Sequence, residues 1–132
     1  MSHMSTKQSK VTKLSPRDLE QLARQLRSQL AMAREQIRLA LLRRDTESYA
    51  QLAGQVHNSD EEALAGVLVD VNLAEIARET EEARTINAAL ARIRSGSYGV
   101  CVECGEPIDE ARLRAYPAAN RCLTCQRSRE GT

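Results

Sequence analysis

The chain has 132 residues and a formal net charge of +1, so its charge favours neither a nucleic-acid partner nor a membrane surface. It contains three Tyr, no Phe and no Trp, and 28% of its residues are charged. Most of its apolar residues are Ala and Leu. This composition excludes a core built on aromatic side chains and is typical of long helices and coiled coils.

Targeting signals are missing from the sequence pattern. No apolar run approaches the roughly 20 residues that span a bilayer, and no apolar segment of a signal peptide follows Met1. We therefore expect a cytoplasmic protein without a membrane partner. In a reducing compartment, paired cysteines favour metal binding over disulfide formation.

The first fourteen residues are polar and basic, and they are predicted to form a flexible tail. Met1-Ser2-His3-Met4 resembles the remnant of an expression tag and is set aside.

A first helix is predicted over residues 16–53. Ser15 is suited to be its N-cap and Pro16 to be its first residue, while Asp18 places an acid in the first turn. Gly54 weakens the helix after its last turn. The apolar stripe of the helix repeats every eleven residues, as expected for one face of a nearly straight helix. It consists of Leu19, Leu22, Leu26, Leu30, Ala33, Ile37 and Leu41.

A second helix is predicted over residues 60–94. Ser59, followed three residues later by Glu62, has the pattern of a capping box. Gly96 follows a basic last turn and is suited to end the helix. The apolar positions of this helix are Val67, Val71, Ala83, Ile86, Leu90 and Ile93.

Two helices of similar length, each about 50–57 Å long, predict an antiparallel coiled-coil hairpin over residues 15–95, with its tip near 54–63. Charge supports the pairing: residues 17–47 contain seven Arg and five acids, whereas residues 57–85 contain eight acids and two Arg. Solvated helical surfaces show the same pattern, so charge alone does not decide. The predicted fold class is therefore all-α dominated, with a small C-terminal four-cysteine zinc-finger domain over residues 96–132.

All four cysteines lie in this C-terminal region. Seventeen residues separate the two Cys-x-x-Cys pairs, and such paired loops present four sulfurs to one tetrahedral zinc ion. Four thiolate ligands leave no open position, so the expected cofactor is one structural Zn²⁺; an iron–sulfur cluster or a redox pair is the alternative. The predicted ligands are Cys101, Cys104, Cys122 and Cys125.

The chain resembles the DksA/TraR family of bacterial regulators that bind RNA polymerase. The resemblance is dense over residues 58–125 and loose over the first helix. It implies a hairpin that enters the secondary channel of RNA polymerase, with its tip approaching the active centre and without contacts to a DNA sequence. The residues that carry it are the segment 97–105, Ile108, Arg112, Leu113, Pro117, Ala118 and the second cysteine pair.

The tip of the hairpin departs from the family pattern Asp-x-x-Asp-x-Ala. Asn58 and Glu61 occupy the positions of the two aspartates, Ala63 is retained, and Asp60 is a neighbouring acid. The resemblance implies that these four residues contact the partner.

Family members that respond to the alarmone ppGpp use basic residues at three positions. Here the matched residues, Thr85, Tyr116 and Gln126, are uncharged, so no alarmone site is expected.

Two other functions fit the residues. The first is a nucleic-acid-binding zinc ribbon, in which five C-terminal arginines contact phosphates, although residues 96–132 also contain five acids. The second is a coiled-coil structural adaptor, which self-association would reveal, since we expect a monomer. An enzyme is not expected, because His57 is the sole histidine outside the tag-like segment and is placed in a loop.

Overall fold

The computed structural model describes residues 14–43, 47–70 and 76–131. Within these ranges the chain forms helices and no strand, apart from one isolated antiparallel bridge between Val100 and Pro107. The helices are α1 (Pro16–Leu42), α2 (Glu47–Asn58), α3 (Glu61–Asp70), α4 (Ala77–Ser95), α5 (Glu110–Ala115) and α6 (Leu123–Arg129). The predicted all-α fold class is confirmed. The predicted tail lies outside the described residues except for Leu14, which is buried.

Helix α1 begins at the predicted N-cap. The backbone N–H of Asp18 donates to Ser15 Oγ at 3.0 Å, and the backbone N–H of Ser15 donates to Asp18 Oδ2 at 3.1 Å. This reciprocal pair satisfies two donors that a helix start otherwise leaves without partners. The short cap therefore sets the first residue of the longest helix.

The predicted apolar stripe of α1 faces the interior. Leu19 is half-buried at its start. The other stripe positions are at most 8% exposed, and they are Leu22, Leu26, Leu30, Ala33, Ile37 and Leu41. Burial of aliphatic side chains stabilises the folded state by about 1.5–3 kcal/mol each, so this stripe is the main force that holds α1 in place.

Helix α2 continues beyond the predicted end of the first helix at residue 53. Gly54 lies inside α2, which ends at Asn58. Ala53 and Val56 are fully buried on either side of this glycine, so packing of the helix offsets the roughly 1 kcal/mol that a helical glycine costs. Residues 44–46, which the prediction placed inside one continuous helix, lie outside the described residues.

Helix α3 begins one residue later than predicted. Asp60 is its cap, because Asp60 Oδ1 accepts a hydrogen bond from the backbone N–H of Ala63 at 2.8 Å. The predicted cap, Ser59, instead donates its hydroxyl to the carbonyl of Gln55 at 2.6 Å and closes the end of α2. The capping box of Ser59 with Glu62 was therefore wrong by one position.

Helix α4 ends as the sequence predicts. Gly96 has a φ of +84°, and two hydrogen bonds close the last turn: Ser97 N–H to Arg92 O at 2.9 Å and Gly96 N–H to Ile93 O at 3.3 Å. This pair of bonds is the Schellman arrangement, which needs a residue that tolerates positive φ. Val71, a predicted apolar position of the second helix, lies outside the described residues.

The described residues fall into two compact units. One comprises those of Met1–Leu26 and Ala89–Thr132, and the other comprises those of Arg27–Ala88. In the first unit, Arg114 Nη2 of α5 donates to Asp18 Oδ1 at 2.9 Å. Asp18 thus caps α1 and also joins it to the C-terminal region.

In the second unit, arginines of two other helices contact α3. Arg27 Nε of α1 donates to Glu61 Oε1 at 2.9 Å, and Arg84 Nη2 of α4 donates to Leu68 O at 2.5 Å. Leu64 and Leu68 of α3 are fully buried. Glu61 therefore lies beside the middle of α1, a contact that the sequence pattern does not predict.

None of the helices described in the structure is both long and apolar enough to cross a membrane.

Truncation of the α1 stripe is predicted to destabilise the protein. Ile37→Ala removes a side chain with 0% exposure and is expected to lower the free energy of unfolding by about 2–5 kcal/mol. Met32→Ala, on the same helix but 67% exposed, is the control and is expected to change it by less than about 0.5 kcal/mol. Urea unfolding of the zinc-loaded protein measures both. Equal effects of the two changes would contradict the burial of this face.

Candidate metal centre

The first cysteine pair lies in a tight loop closed by backbone hydrogen bonds. The N–H of Cys101 donates to Glu106 O at 2.8 Å, and the N–H of Gly105 donates back to Cys101 O at 2.9 Å. Gly105 has a φ of +79°, a conformation that side-chain-bearing residues rarely adopt. The turn therefore requires glycine directly after Cys104, and it holds both sulfurs on one side of the loop.

The second cysteine pair lies at the start of α6. Cys122 is the N-cap, and its Sγ accepts a long hydrogen bond from the backbone N–H of Cys125 at 3.5 Å. The helical turn continues with the N–H of Gln126, which donates to Cys122 O at 2.9 Å. The first turn of α6 thus positions the second cysteine pair, whereas a glycine turn positions the first.

Hydrogen bonds from the first cysteine loop and from α5 hold the residues that precede Cys122. The N–H of Val102 donates to Asn120 O at 2.9 Å, and Arg112 Nε donates to Arg121 O at 3.0 Å. Arg121 also forms an ion pair with Glu103, in which Nε and Oε2 are 3.3 Å apart. These contacts place the residues before Cys122 against the first loop.

The four sulfurs converge on one point. The Sγ atoms of the predicted ligands lie within 4.8 Å of one another, and those of Cys104 and Cys122 are 3.9 Å apart. A tetrahedron with zinc–sulfur bonds of about 2.3 Å has edges of about 3.8 Å. The donor set and its spacing therefore fit one structural Zn²⁺, which the four thiolates surround completely.

The electrostatics of the thiols also favour a cation. Burial opposes ionisation of Cys101, but N–H donors from Cys104, Cys122 and Glu103 outweigh it and lower the pKa of Cys101 to about 6. A hydrogen bond with the Cys122 thiol, burial and the nearby Cys101 sulfur raise the pKa of Cys125 to about 12. The thiolate of Cys101 is thus favoured, whereas hydrogen bonding and burial disfavour that of Cys125. A bound divalent cation stabilises all four thiolates, because a coordinating thiol is deprotonated.

Several apolar residues of the C-terminal region are buried, and they are called the apolar cluster. Tyr98 is 2% exposed, and its hydroxyl donates to Pro117 O at 2.8 Å. The other buried members are Ile108, Leu113, Ala118 and Ala119. Sequence reasoning missed the part played by Tyr98, although a tyrosine just before a cysteine loop in a chain so poor in aromatic residues was the available signal.

The four predicted tip residues occupy the junction of α2 and α3. Asn58 is the last residue of α2 and is exposed, Asp60 caps α3, and Ala63 is exposed in the first turn. Glu61 is paired with Arg27. The junction thus brings Asp60 and Glu61 together, and only Glu61 reaches another helix through an observed hydrogen bond.

The three residues matched to alarmone contacts are engaged locally or exposed. Thr85 Oγ1 donates to Glu81 O at 3.0 Å, and Gln126 Nε2 donates to Glu130 Oε2 at 2.9 Å. Tyr116 is half exposed. None of the three supplies a cation.

The helices and the four-thiolate centre define a helical C4 zinc-finger protein. Residues 96–131 match the family model described as the prokaryotic dksA/traR C4-type zinc finger. These residues therefore form a zinc finger of the dksA/traR type.

Comparisons with individual proteins extend beyond the zinc finger. The chain is 36% identical over 89 residues to the RNA polymerase-binding transcription factor DksA of Caulobacter vibrioides, an alignment covering 67% of this chain and 58% of the relative. It is 34% identical over 91 residues to general stress protein 16O of Bacillus subtilis, covering 64% of this chain and 55% of the relative. The chain thus spans less than two thirds of these curated relatives.

A solved structure is also similar. It is transcription factor DksA2 from Pseudomonas aeruginosa, with 25% identity, a TM-score of 0.46 and coverage of 89% of this chain and 91% of that chain.

Loss of one ligand is predicted to remove the metal and unfold the zinc finger. The purified protein should contain one equivalent of zinc, and Cys104→Ser should lose it, because three thiolates bind the ion less tightly. Elemental analysis measures the metal, and hydrogen exchange should show residues 97–126 unprotected while α1 stays protected. Thr124→Ser, between the two cysteines of the second pair, is the control and should retain both the metal and the protection. A folded C-terminal region after chelation would contradict a structural role.

Alkaline pH is predicted to destabilise the cluster through Tyr98. Burial raises its pKa to about 12, and the nearby Arg92 offsets this only in part. An unfolded tyrosine has a pKa of about 10, so between those values the unfolded state loses a proton that the folded state keeps. The contribution of Tyr98 to the free energy of unfolding is therefore complete below pH 10. It falls by about 1–3 kcal/mol as the pH rises towards 12.

Tyr98→Phe tests this dependence. It should lower stability by about 1–3 kcal/mol at pH 7, because Pro117 O loses its donor, and it should flatten the alkaline decline. Tyr116→Phe, at an exposed position, is the control. The free energy of unfolding of each variant and of the unchanged protein is measured from pH 8 to 11. An equal dependence on pH in all three proteins would contradict the role assigned to Tyr98.

Proposed function

We propose that this chain is a zinc-containing bacterial transcription regulator that binds RNA polymerase through its secondary channel. The observation that carries the proposal is the alignment to the RNA polymerase-binding factor DksA. That alignment is longer than the zinc-finger match at residues 96–131, so it includes helical residues that a generic zinc finger lacks. The proposal includes a cytoplasmic monomer that acts by binding and catalyses no reaction.

In this proposal the junction of α2 and α3 acts on the active centre. Asn58, Asp60, Glu61 and Ala63 are the contact residues, and the two acids supply negative charge near the catalytic cations of the polymerase. The zinc finger supplies a fixed support and takes no chemical part, because its four sulfurs surround the ion. No alarmone site is proposed at Thr85, Tyr116 or Gln126.

Arginines of the zinc finger are largely engaged within the protein, which weighs against phosphate binding by this surface. Arg112 donates to a backbone carbonyl, Arg114 pairs with Asp18 and Glu110, and Arg121 and Arg129 both approach Glu103. A nucleic-acid interface would require these cations to exchange their partners for phosphates.

Competition for the polymerase tests the proposed binding site. A labelled factor known to occupy the secondary channel is bound to core polymerase, and this protein is titrated in. We expect complete displacement, because a narrow channel admits one occupant. The Cys104→Ser protein, which lacks a folded zinc finger, should displace it weakly. Simultaneous saturation by both proteins would exclude the secondary channel as the site.

Removal of the junction charges tests the proposed action. Asp60→Asn with Glu61→Gln should abolish the effect on a sensitive promoter while binding stays within a few-fold, because contacts elsewhere supply most of the affinity. Asparagine remains a good N-cap, so α3 should persist. The control is Glu79→Gln, an acid of α4 outside the junction. Full activity of the double variant would refute an electrostatic role for these acids.

A further inference from the structure

Two arginines of α1 lie at the acidic start of α3. Arg27 and Arg34 are seven residues apart, so they lie two turns apart on the same side of the helix. Together with Leu30, Asp60 and Glu61 they line a cavity of about 290 Å³. Arg27 Nε donates to Glu61 Oε1 at 2.9 Å, whereas Arg34 Nε is buried without a hydrogen-bond partner.

Both acids of the cavity are committed within the protein, but in different ways. Asp60 Oδ1 accepts a hydrogen bond from the backbone N–H of Ala63. This bond lies within the first turn of α3, so it does not depend on contacts with other helices. Glu61 is bound to another helix, and its side chain is 26% exposed against 50% for Arg27. The Glu61 contact, unlike that of Asp60, competes with a new cation for the carboxylate.

We propose that the Arg27–Glu61 ion pair is an autoinhibitory contact that limits the availability of Glu61 to a partner. This inference rests on the proposed function, in which Glu61 meets a cationic environment at the polymerase active centre. A carboxylate held by a guanidinium gives up a charge-assisted hydrogen bond before it binds a metal ion or another cation. Binding of the partner to Glu61 and release of Arg27 are therefore linked: binding favours release, and the intact ion pair weakens binding.

The size of the effect follows from exposure. An ion pair in which one side chain is half exposed, as Arg27 is here, contributes little to stability. The energies measured for exposed pairs correspond to about 1.5- to 5-fold in an equilibrium constant. Arg34 adds positive charge to the same cavity and acts in the same direction. The contact thus adjusts the strength of the effect and does not switch it completely off.

The contact is tested first in the free, zinc-loaded protein. The Nε–H resonance of Arg27 in a ¹⁵N spectrum reports its hydrogen bond, and Glu61→Gln should shift it and speed its exchange with water. Glu35→Gln is the control, because Glu35 pairs with Arg38 within α1. An unchanged Arg27 signal in Glu61→Gln would overturn the inference without any use of polymerase.

The consequence is tested on transcription from a sensitive promoter. Arg27→Gln should lower the protein concentration that gives half the maximal effect by about 1.5- to 5-fold. Arg27→Lys, which keeps the charge, and Arg38→Gln, which removes an arginine paired inside α1, should both stay near the unchanged protein. If Arg27→Gln acts no more strongly than the unchanged protein, or if Arg38→Gln gains equally, the inference fails. If the unchanged protein has no effect on transcription, the proposed function itself fails, and the autoinhibitory role fails with it.

Discussion

The convergence of four cysteine sulfurs within 4.8 Å of one another is the constraint on which the C-terminal region depends. Every nearby feature serves to bring these atoms together: the positive φ of Gly105, the α6 start at Cys122 and the bonds between the loops. Such an arrangement is stable only with a cation at its centre, since the protons of the thiols otherwise compete for the same space. The binding energy of zinc is therefore part of the folding energy of this region.

Local signals in the sequence predicted the elements whose ends are decided locally. The start of α1 at Ser15 and the end of α4 at Gly96 depend on one capping side chain and one glycine, so they can be inferred without tertiary contacts. The cysteine spacing predicted the metal centre for the same reason. At the start of α3, Ser59 and Asp60 are both good caps, and the choice between them is made by Gln55, whose carbonyl binds the serine.

Tertiary packing decided what the sequence left open. Gly54 remains helical because Ala53 and Val56 are buried beside it. The buried hydroxyl of Tyr98 finds its acceptor in the carbonyl of Pro117, which is nineteen positions away in the sequence. The pairing of Arg27 with Glu61 spans 34 positions, and no periodic pattern encodes it. This contact places an arginine beside one acid of the α2–α3 junction, so the negative charge of Glu61 is partly balanced within the protein.

The bond between Asp18 and Arg114 has a consequence for synthesis on the ribosome. Its partners are 96 positions apart, so Asp18 can bind Arg114 only after most of the chain has been synthesised. At 5–20 residues per second, this delay is roughly 5–20 s. During that time Ser15 and Asp18 can still cap the first turn, because their two hydrogen bonds join residues only three positions apart. The cap of α1 is therefore available early in synthesis, whereas its bond to α5 forms only after Arg114 has been added.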